Sequence, residues 1–376
     1  MIQNLVILLA MMANGLKSCQ CAEATGKKYA SEERELNALY LESLSEGGKL
    51  TVYAGGSLPT DQDAVKRQFE ERFPNTTITF IIDSSNVHRS RINYQLETGR
   101  VIADVVQLQT LHDFPIWKAR GVLHSYRPIG WSQLFDGFKD RDGFYSGIFV
   151  FTFSNVVNKL FLNSLPKGFI PREAQDFLRP ELANKLALTF PNDDDANLYW
   201  LKLIIDKYGW KYLQSLMNQR PVFFRGNGAT KMAIDKGDSL TATPCSILLM
   251  SNPATSNSTF PLPLTDPFVT FPQTAAILRG TKNLATAKLY LSWRLSYRFQ
   301  AATPMNFWSV RKDVPPPPGI KPLFEYTKQT DPFTFGKWMS NRAMVEQFRG
   351  QVQLFVGDVK GSYPTLDLGL YPTGRA

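Results

Sequence analysis

Cysteine is scarce in this chain. Its 376 residues include three, Cys19, Cys21 and Cys245. Removal of a leader after Ala24 would leave Cys245 alone, which excludes an intramolecular disulfide framework. Histidine is equally sparse. His88, His112 and His124 are scattered and have no partner at a metal-binding spacing. Long apolar runs are missing, so no transmembrane helix is expected. The net charge is +9, yet no block of about five or six Lys and Arg occurs. That excludes a basic nucleic-acid tail and leaves a mild attraction to anions. The chain also lacks G-x-S-x-G, a Walker loop and H-E-x-x-H, so no enzyme class is indicated.

What is present is an ordinary globular composition, 43% hydrophobic and 20% charged, with enough length for two domains. Residues 1–24 read as a secretory signal. Residues 5–13 form a short apolar core, and Ala22 and Ala24 supply the small-x-small pair before cleavage. Cys19 and Cys21 resemble a lipobox, but Lys17 counts against lipidation. Asn75-Thr-Thr and Asn257-Ser-Thr are glycosylation sequons. The expected location is outside the cytoplasm, secreted or periplasmic, with a eukaryotic secretory route favoured. Cys245 reads as a small buried hydrophobe.

Residues 25–48 predict a helix from Ser31, with Leu36, Leu39, Tyr40 and Leu44 on one face. Residues 49–108 then organise the chain. Lys49-Leu-Thr-Val-Tyr53 predicts a strand, and Ala54-Gly-Gly-Ser57 a turn. A helix follows over 61–73, with Val65, Phe69 and Phe73 inward. Residues 77–82 predict a strand ending at Asp83, Ser84 and Ser85. The next helix carries Ile92 and Leu96 inward, with Arg89, Arg91 and Arg100 outside, and 103–108 is a buried strand. Strands alternating with helices at this spacing predict a parallel sheet with crossover helices. Its polar turns lie at strand carboxyl ends, where open α/β sheets bind ligands.

Further on, 113–120 predicts a short helix, 145–153 an apolar strand and 186–190 a buried strand. Residues 198–208 and 210–219 predict helices, 221–224 a strand, 225–230 a glycine turn, 231–235 a helix and 238–245 a strand. Residues 252–267 read as loop, 271–278 as a strand and 283–296 as a helix. Pro315 to Pro318 form a rigid spacer, and a helix is expected around 342–348. Tyr53, Trp131, Tyr199 and Trp200 read as core aromatics. No repeat of short period occurs.

Leu50-Thr-Val-Tyr-Ala-Gly-Gly-Ser57, Ala103-Asp-Val-Val106 and Trp117-Lys-Ala-Arg-Gly-Val-Leu123 come in this order. Arg225-Gly-Asn-Gly228, Ala287-Lys-Leu-Tyr-Leu-Ser-Trp293 and Leu295-Ser-Tyr-Arg-Phe-Gln300 follow. Over residues 46–318 the pattern resembles type II periplasmic solute-binding proteins, particularly the ferric-ion-binding branch of ABC-transporter receptors. The resemblance implies an α/β fold of two lobes, with a hinge and an interlobe cleft that closes on a ligand. Residues 49–150 and 268–318 would then form the first lobe, 151–267 the second, and 319–376 a helical C-terminal extension. Ferric-binding members often use a pair of adjacent tyrosines as metal ligands. No two tyrosines are adjacent here, and residues 243–248 contain none. The export features count against a membrane-transporter partner.

Within such a cleft, Gly55, Gly56 and Ser57 would offer turn amides and a hydroxyl to an anion. Ser84 and Ser85 form a second turn, and Gln109 and Thr110 a third. From the other lobe, Asn192, Arg225, Asn227 and Thr230 would face the same space. Arg225 is the expected fork for a carboxylate or phosphate, with a surface salt bridge as its alternative. The acids Asp193, Asp194 and Asp195 suit a hard cation, but capping of the helix at Leu198 by Asp194 or Asp195 is the favoured reading. His88 and His112 lie near the cleft turns, where a ligand hydrogen bond competes with a structural role. The expected function is capture of a small anionic or polar solute, with no catalytic residue, cofactor, metal or nucleic acid, by a monomer. The alternatives are ferric or divalent-metal capture and, more weakly, an exported enzyme reusing the fold.

Overall fold

A computed structural model describes residues 29–247, 257–302, 308–361 and 369–372. The signal segment, Cys19 and Cys21, and part of the loop over 252–267 lie outside the described residues.

The strands are β1 Lys49–Gly55, β2 Thr77–Asp83, β3 Val105–Leu108, β4 Leu123–His124 and β5 Ser146–Asn158. Then come β6 Ala187–Thr189, β7 Val222–Phe224, β8 Ala242–Ile247, β9 Ser258–Thr259 and β10 Val269–Leu278. Helix α1 covers residues 29–45. It is followed by α2 Asp63–Arg72, α3 Ser85–Glu97, α4 Asp113–Ala119, α5 Lys159–Leu162 and α6 Asp195–Tyr208. The rest are α7 Trp210–Asn218, α8 Asn227–Lys236, α9 Leu284–Leu295, α10 Tyr297–Ala302, α11 Thr334–Met339 and α12 Arg342–Val356.

The main sheet runs β2-β1-β3-β10-β5-β8, with β4 beside β10 and β9 beside β5. The parallel expectation holds for β1 with β2 and β3, and for the separate pair β6 and β7. It fails in the middle. There β10 runs antiparallel to β3 and β5, and β5 antiparallel to β8. After the segment from β6 to β9, β10 runs back against β5, the strand that led into that segment. β5 is also longer than the apolar run suggested, because it continues through Asn155 to Asn158 as the crossover itself. Pro272 sits inside β10 next to a register shift between Gln273 and Thr274. A proline cannot donate to a ladder, so an irregularity is where a central strand tolerates one.

Apolar side chains cover both faces of the sheet around β1 and β3. Val52, Phe69, Phe73 and Tyr290 lie on one side, and Tyr53, Phe114 and Trp117 on the other. A further core joins Phe153, Phe177, Leu198 and Leu213 to Phe335, Met339, Val345 and Val352. Helices α11 and α12 therefore pack into the same core as α6 and α7. The end of the chain crosses back. Arg91 Nε donates to Gly369 O at 2.9 Å, and Gln95 Nε2 donates to Leu370 O at 2.7 Å. The Tyr371 ring lies under Arg100 and beside Tyr94.

One charged residue departs from expectation. Arg91 is not on the outer face of α3. It is 1% exposed and pairs with buried Asp83 at 2.8 Å. The C-terminal residues covering α3 turn its outer face into an interior one.

Candidate functional site

The turns at the carboxyl ends of β1, β2 and β3 open on one cavity of about 260 Å³. Gly55, Gly56 and Ser57 line it from the first turn, Ser84, Ser85 and Asn86 from the second, and Gln109 from the third. Across the space stand Asp193, Asp194, Arg225, Gly226, Asn227, Gly228 and Lys231. Phe149, Phe151 and Phe153 share a wall because alternate residues of a strand face the same way. Gln273, Arg294, Phe299, Gln300, Trp308 and Ser309 also line the cavity, as do the carboxylates Asp61 and Asp235.

The opposing turns touch. Gly228 N donates to Ser57 Oγ at 2.9 Å. A Cβ on Gly226, whose φ is +81°, would stand 2.6 Å from Ser57 Cβ, and one on Gly228 2.5 Å from Leu58 Cγ. Glycine is needed at both positions for this approach, and at Gly226 for the left-handed backbone as well.

The first turn has less to offer an anion than expected. Ser57 N and Leu58 N donate to Asp61 Oδ2 at 2.7 and 3.0 Å, and Gly56 N donates to Asp83 O at 2.9 Å. Those amides are taken within the chain. Burial raises the Asp61 carboxyl above its ordinary range, against the lowering effect of these same bonds. The second turn differs. Helix α3 spans 13 residues, and no side chain caps its N-terminus at Ser84. Ser85 Oγ accepts from Gln109 N at 3.1 Å and so ties the second turn to the third.

Arg225 lines the cavity with its fork already engaged. Its Nε and Nη2 donate to the two Asp193 oxygens at 2.8 and 3.0 Å, and its Nη1 donates to Gly361 O at 3.3 Å. Asn227 accepts from Thr189 Oγ1 and Asn197 Nδ2, both at 3.0 Å, and donates to Asp194 Oδ2 at 3.1 Å. Three expected residues lie off the described lining. Thr230 is buried with Thr189, 2.8 Å between hydroxyls. Asn192 donates to Gly357 O at 3.0 Å. Thr110 is fully buried at the head of α4.

The acidic run resolves into three tasks. Asp193 holds Arg225. Asp194 caps α6, accepting from Ala196 N and Asn197 N, both at 2.9 Å. Asp195 pairs with Arg349 of α12. Among the described residues, no group of three or more His, Cys, Asp or Glu side chains could hold a metal ion. His88 and His112 are buried and lie off the described lining. Cys245 is buried too, and burial pushes its thiol well above the ordinary value.

Sequence reasoning missed the wall and its cation. Phe149, Phe151 and Phe153 read only as an apolar strand. Arg294, near the end of α9, went unremarked. It is 3% exposed, and its guanidinium carbon lies 5.0 Å from the Phe299 ring centroid, 5.6 Å from Phe149 and 5.7 Å from Tyr290. Nη1 donates to Tyr290 Oη at 2.9 Å, and the buried Nε has no hydrogen-bond partner. No carboxylate lies within ion-pair reach of it among the described residues. Burying a charge costs on the order of several kcal/mol, whereas each cation–π contact offsets about 0.5–2 kcal/mol. Of the two cations in α9, Lys288 and Arg294, the second lies between Trp293 and Leu295 in the sequence, and that apolar setting was the available signal.

No family model matches the chain, and no curated protein matches it in sequence. Solved structures do match in shape. The periplasmic binding protein P5PA superposes with a TM-score of 0.64 at 18% identity, over 81% of this chain and 99% of that one. AfuA from Actinobacillus pleuropneumoniae, with fructose-6-phosphate bound, gives 0.63 at 17% identity over 82% and 99%. Iron-bound HitA from Pseudomonas aeruginosa gives 0.60 at 15% identity over 81% and 99%. The chain has the two-lobe α/β fold of the type II periplasmic binding proteins.

Proposed function

We propose that this protein is a solute-binding protein that holds a small polar or anionic ligand in the cavity between its lobes and does no chemistry on it. The observation that carries this reading is the convergence of turns from both halves on one space, with Ser57 and Gly228 in contact across it. A ligand touching both sides stabilises the arrangement in which they meet, because only differential affinity moves a two-state equilibrium. In this reading residues 49–150 and 268–318 form one lobe and residues 151–267 the other, joined through β5 and β10, and the binder acts as an exported monomer. The neighbours' names point the same way: two are called periplasmic binding proteins, and one of these has a sugar phosphate bound. Among the described residues, no helix is long and apolar enough to cross a membrane.

The test is a thermal-shift screen of protein refolded from denaturant, to strip carried-over ligand. The panel is phosphate, sugar phosphates, carboxylates, polyamines and ferric citrate. Saturable stabilisation by at least one anionic or polar compound is expected. A folded sample indifferent to the whole panel would overturn the reading. A response to ferric citrate alone, with a charge-transfer colour, would replace it with metal capture.

A further inference from the structure

We propose that Arg294, rather than Arg225, is the anchor of the cavity, and that it takes the oxyanion of a ligand whose remaining body is flat and apolar. The inference rests on the solute-binding reading above and deepens it.

Among the described residues three cations line the cavity, Lys231, Arg225 and Arg294, and Lys231 is paired with Asp235. Arg225 has its fork closed on both oxygens of Asp193. Arg294 differs in each respect that matters. It is nine-tenths buried and lines the cavity, its Nε is unpartnered, and no carboxylate is within ion-pair reach among the described residues. Its surroundings are aromatic faces and one phenol oxygen, which attract a cation but do not neutralise it. An oxyanion entering the cavity supplies the missing charge. The guanidinium fork suits the two oxygens of a carboxylate or phosphate. The uncapped N-terminus of α3, at Ser84 to Asn86, adds positive backbone charge to the same space.

The rest of the lining sets the body of the ligand. Phe149 stands beside the anchor and Phe151 beside Phe149, their ring centroids 4.6 Å apart, and Trp308 lines the same space. A polyol would leave its hydroxyls unpaired against those rings, whereas a ring or other flat apolar group is received by their faces. The unpartnered buried Gln273 Oε1 offers one acceptor for a donor group on that body.

The experiment is calorimetric titration of the refolded full chain with phenyl phosphate, benzoate, inorganic phosphate and phenol. Phenyl phosphate or benzoate is expected to bind about tenfold or more tightly than either half-molecule, and whichever wins names the oxyanion. Arg294→Gln should weaken that binding about a hundredfold, with near-UV circular dichroism unchanged. Arg294→Lys keeps the buried charge and protects against loss of the fold. Its expected loss is about tenfold, because an ammonium cannot pair two oxygens at once. Phe151→Ala should weaken phenyl phosphate while leaving inorganic phosphate unchanged. Wild-type affinity in folded Arg294→Gln or Arg294→Lys would overturn the anchor and leave the solute-binding reading standing. Equal affinities for phenyl phosphate and inorganic phosphate would overturn the flat body. If none of the four binds, the inference fails, while the broader screen still decides the function.

Discussion

His88 lies fully buried against Tyr53, with 4.7 Å between ring centroids. Burial, and then the neighbouring Arg91, lower its pKa from 6.5 to about 3. Between those values the unfolded chain takes up a proton that the folded chain refuses. The neutral ring's contribution to stability is whole above pH 6.5 and drains away as the pH falls towards 3. At pH about 4.5 the loss amounts to about 3 kcal/mol. His88→Gln does not titrate, so its urea midpoint should fall less than that of the wild type between pH about 7 and about 4.5. Parallel losses in the two proteins would show that His88 is not the source. At this scale the sequence was least legible. Helical periodicity put Arg91 on the outer face of α3, and it could not reveal that residues 369–371 would cover that face. Arg225 was recognised as a fork, but the carboxylate it pairs with, Asp193, is 32 residues away along the chain. Only the folded molecule shows that it is already taken.

Elements were far more legible, because they rest on local periodicity. The sequence placed α2, α3, α4, α6, α7 and α9 within a few residues of their observed bounds, and both glycine turns fall where the Gly pairs occur. Strand direction was not legible. The antiparallel pairing of β5 with β10 joins residues more than 100 positions apart, and no local pattern encodes it. The meeting of the two turns was likewise invisible, although each was marked by its glycines. That contact gives a prediction. Gly228→Val places a branched side chain where Leu58 and Ser57 now stand. The overpacking costs about 1–3 kcal/mol, felt only while the turns touch. The variant should fold normally, show a larger radius of gyration in small-angle scattering, and bind the ligand found by screening about tenfold more weakly. An unchanged radius together with unchanged affinity would mean that the turns need not meet for binding.

On the scale of the whole molecule, the resemblance to a two-lobe binder was legible in the order of its motifs, but the role of the C-terminal residues was not. Helices α11 and α12 share a core with α6 and α7. Beyond them the chain touches both sides of the cavity. Gly357 O and Gly361 O accept from Asn192 and Arg225, while Gly369 O and Leu370 O accept from Arg91 and Gln95 on α3. A chain ending after α12 keeps Val345 and Val352 in the core and loses all four contacts. Its melting should remain a single cooperative transition. Amide exchange measured by mass spectrometry should quicken in α3 and around residues 192–197 and 225–228. Unaltered protection in α3 would refute a holding role for these residues.

The same contacts set a ruler across the cleft. Gly361 is fastened beside Arg225 and Gly369 beside Arg91. Eight peptide steps separate them, and a chain of that contour length reaches at most about 26–29 Å. However strongly the lobes are driven apart, the distance between those two fastenings stays under that limit while both hold. If the lobes part when the proposed ligand leaves, a count of residues bounds the parting of these two points for as long as both contacts hold.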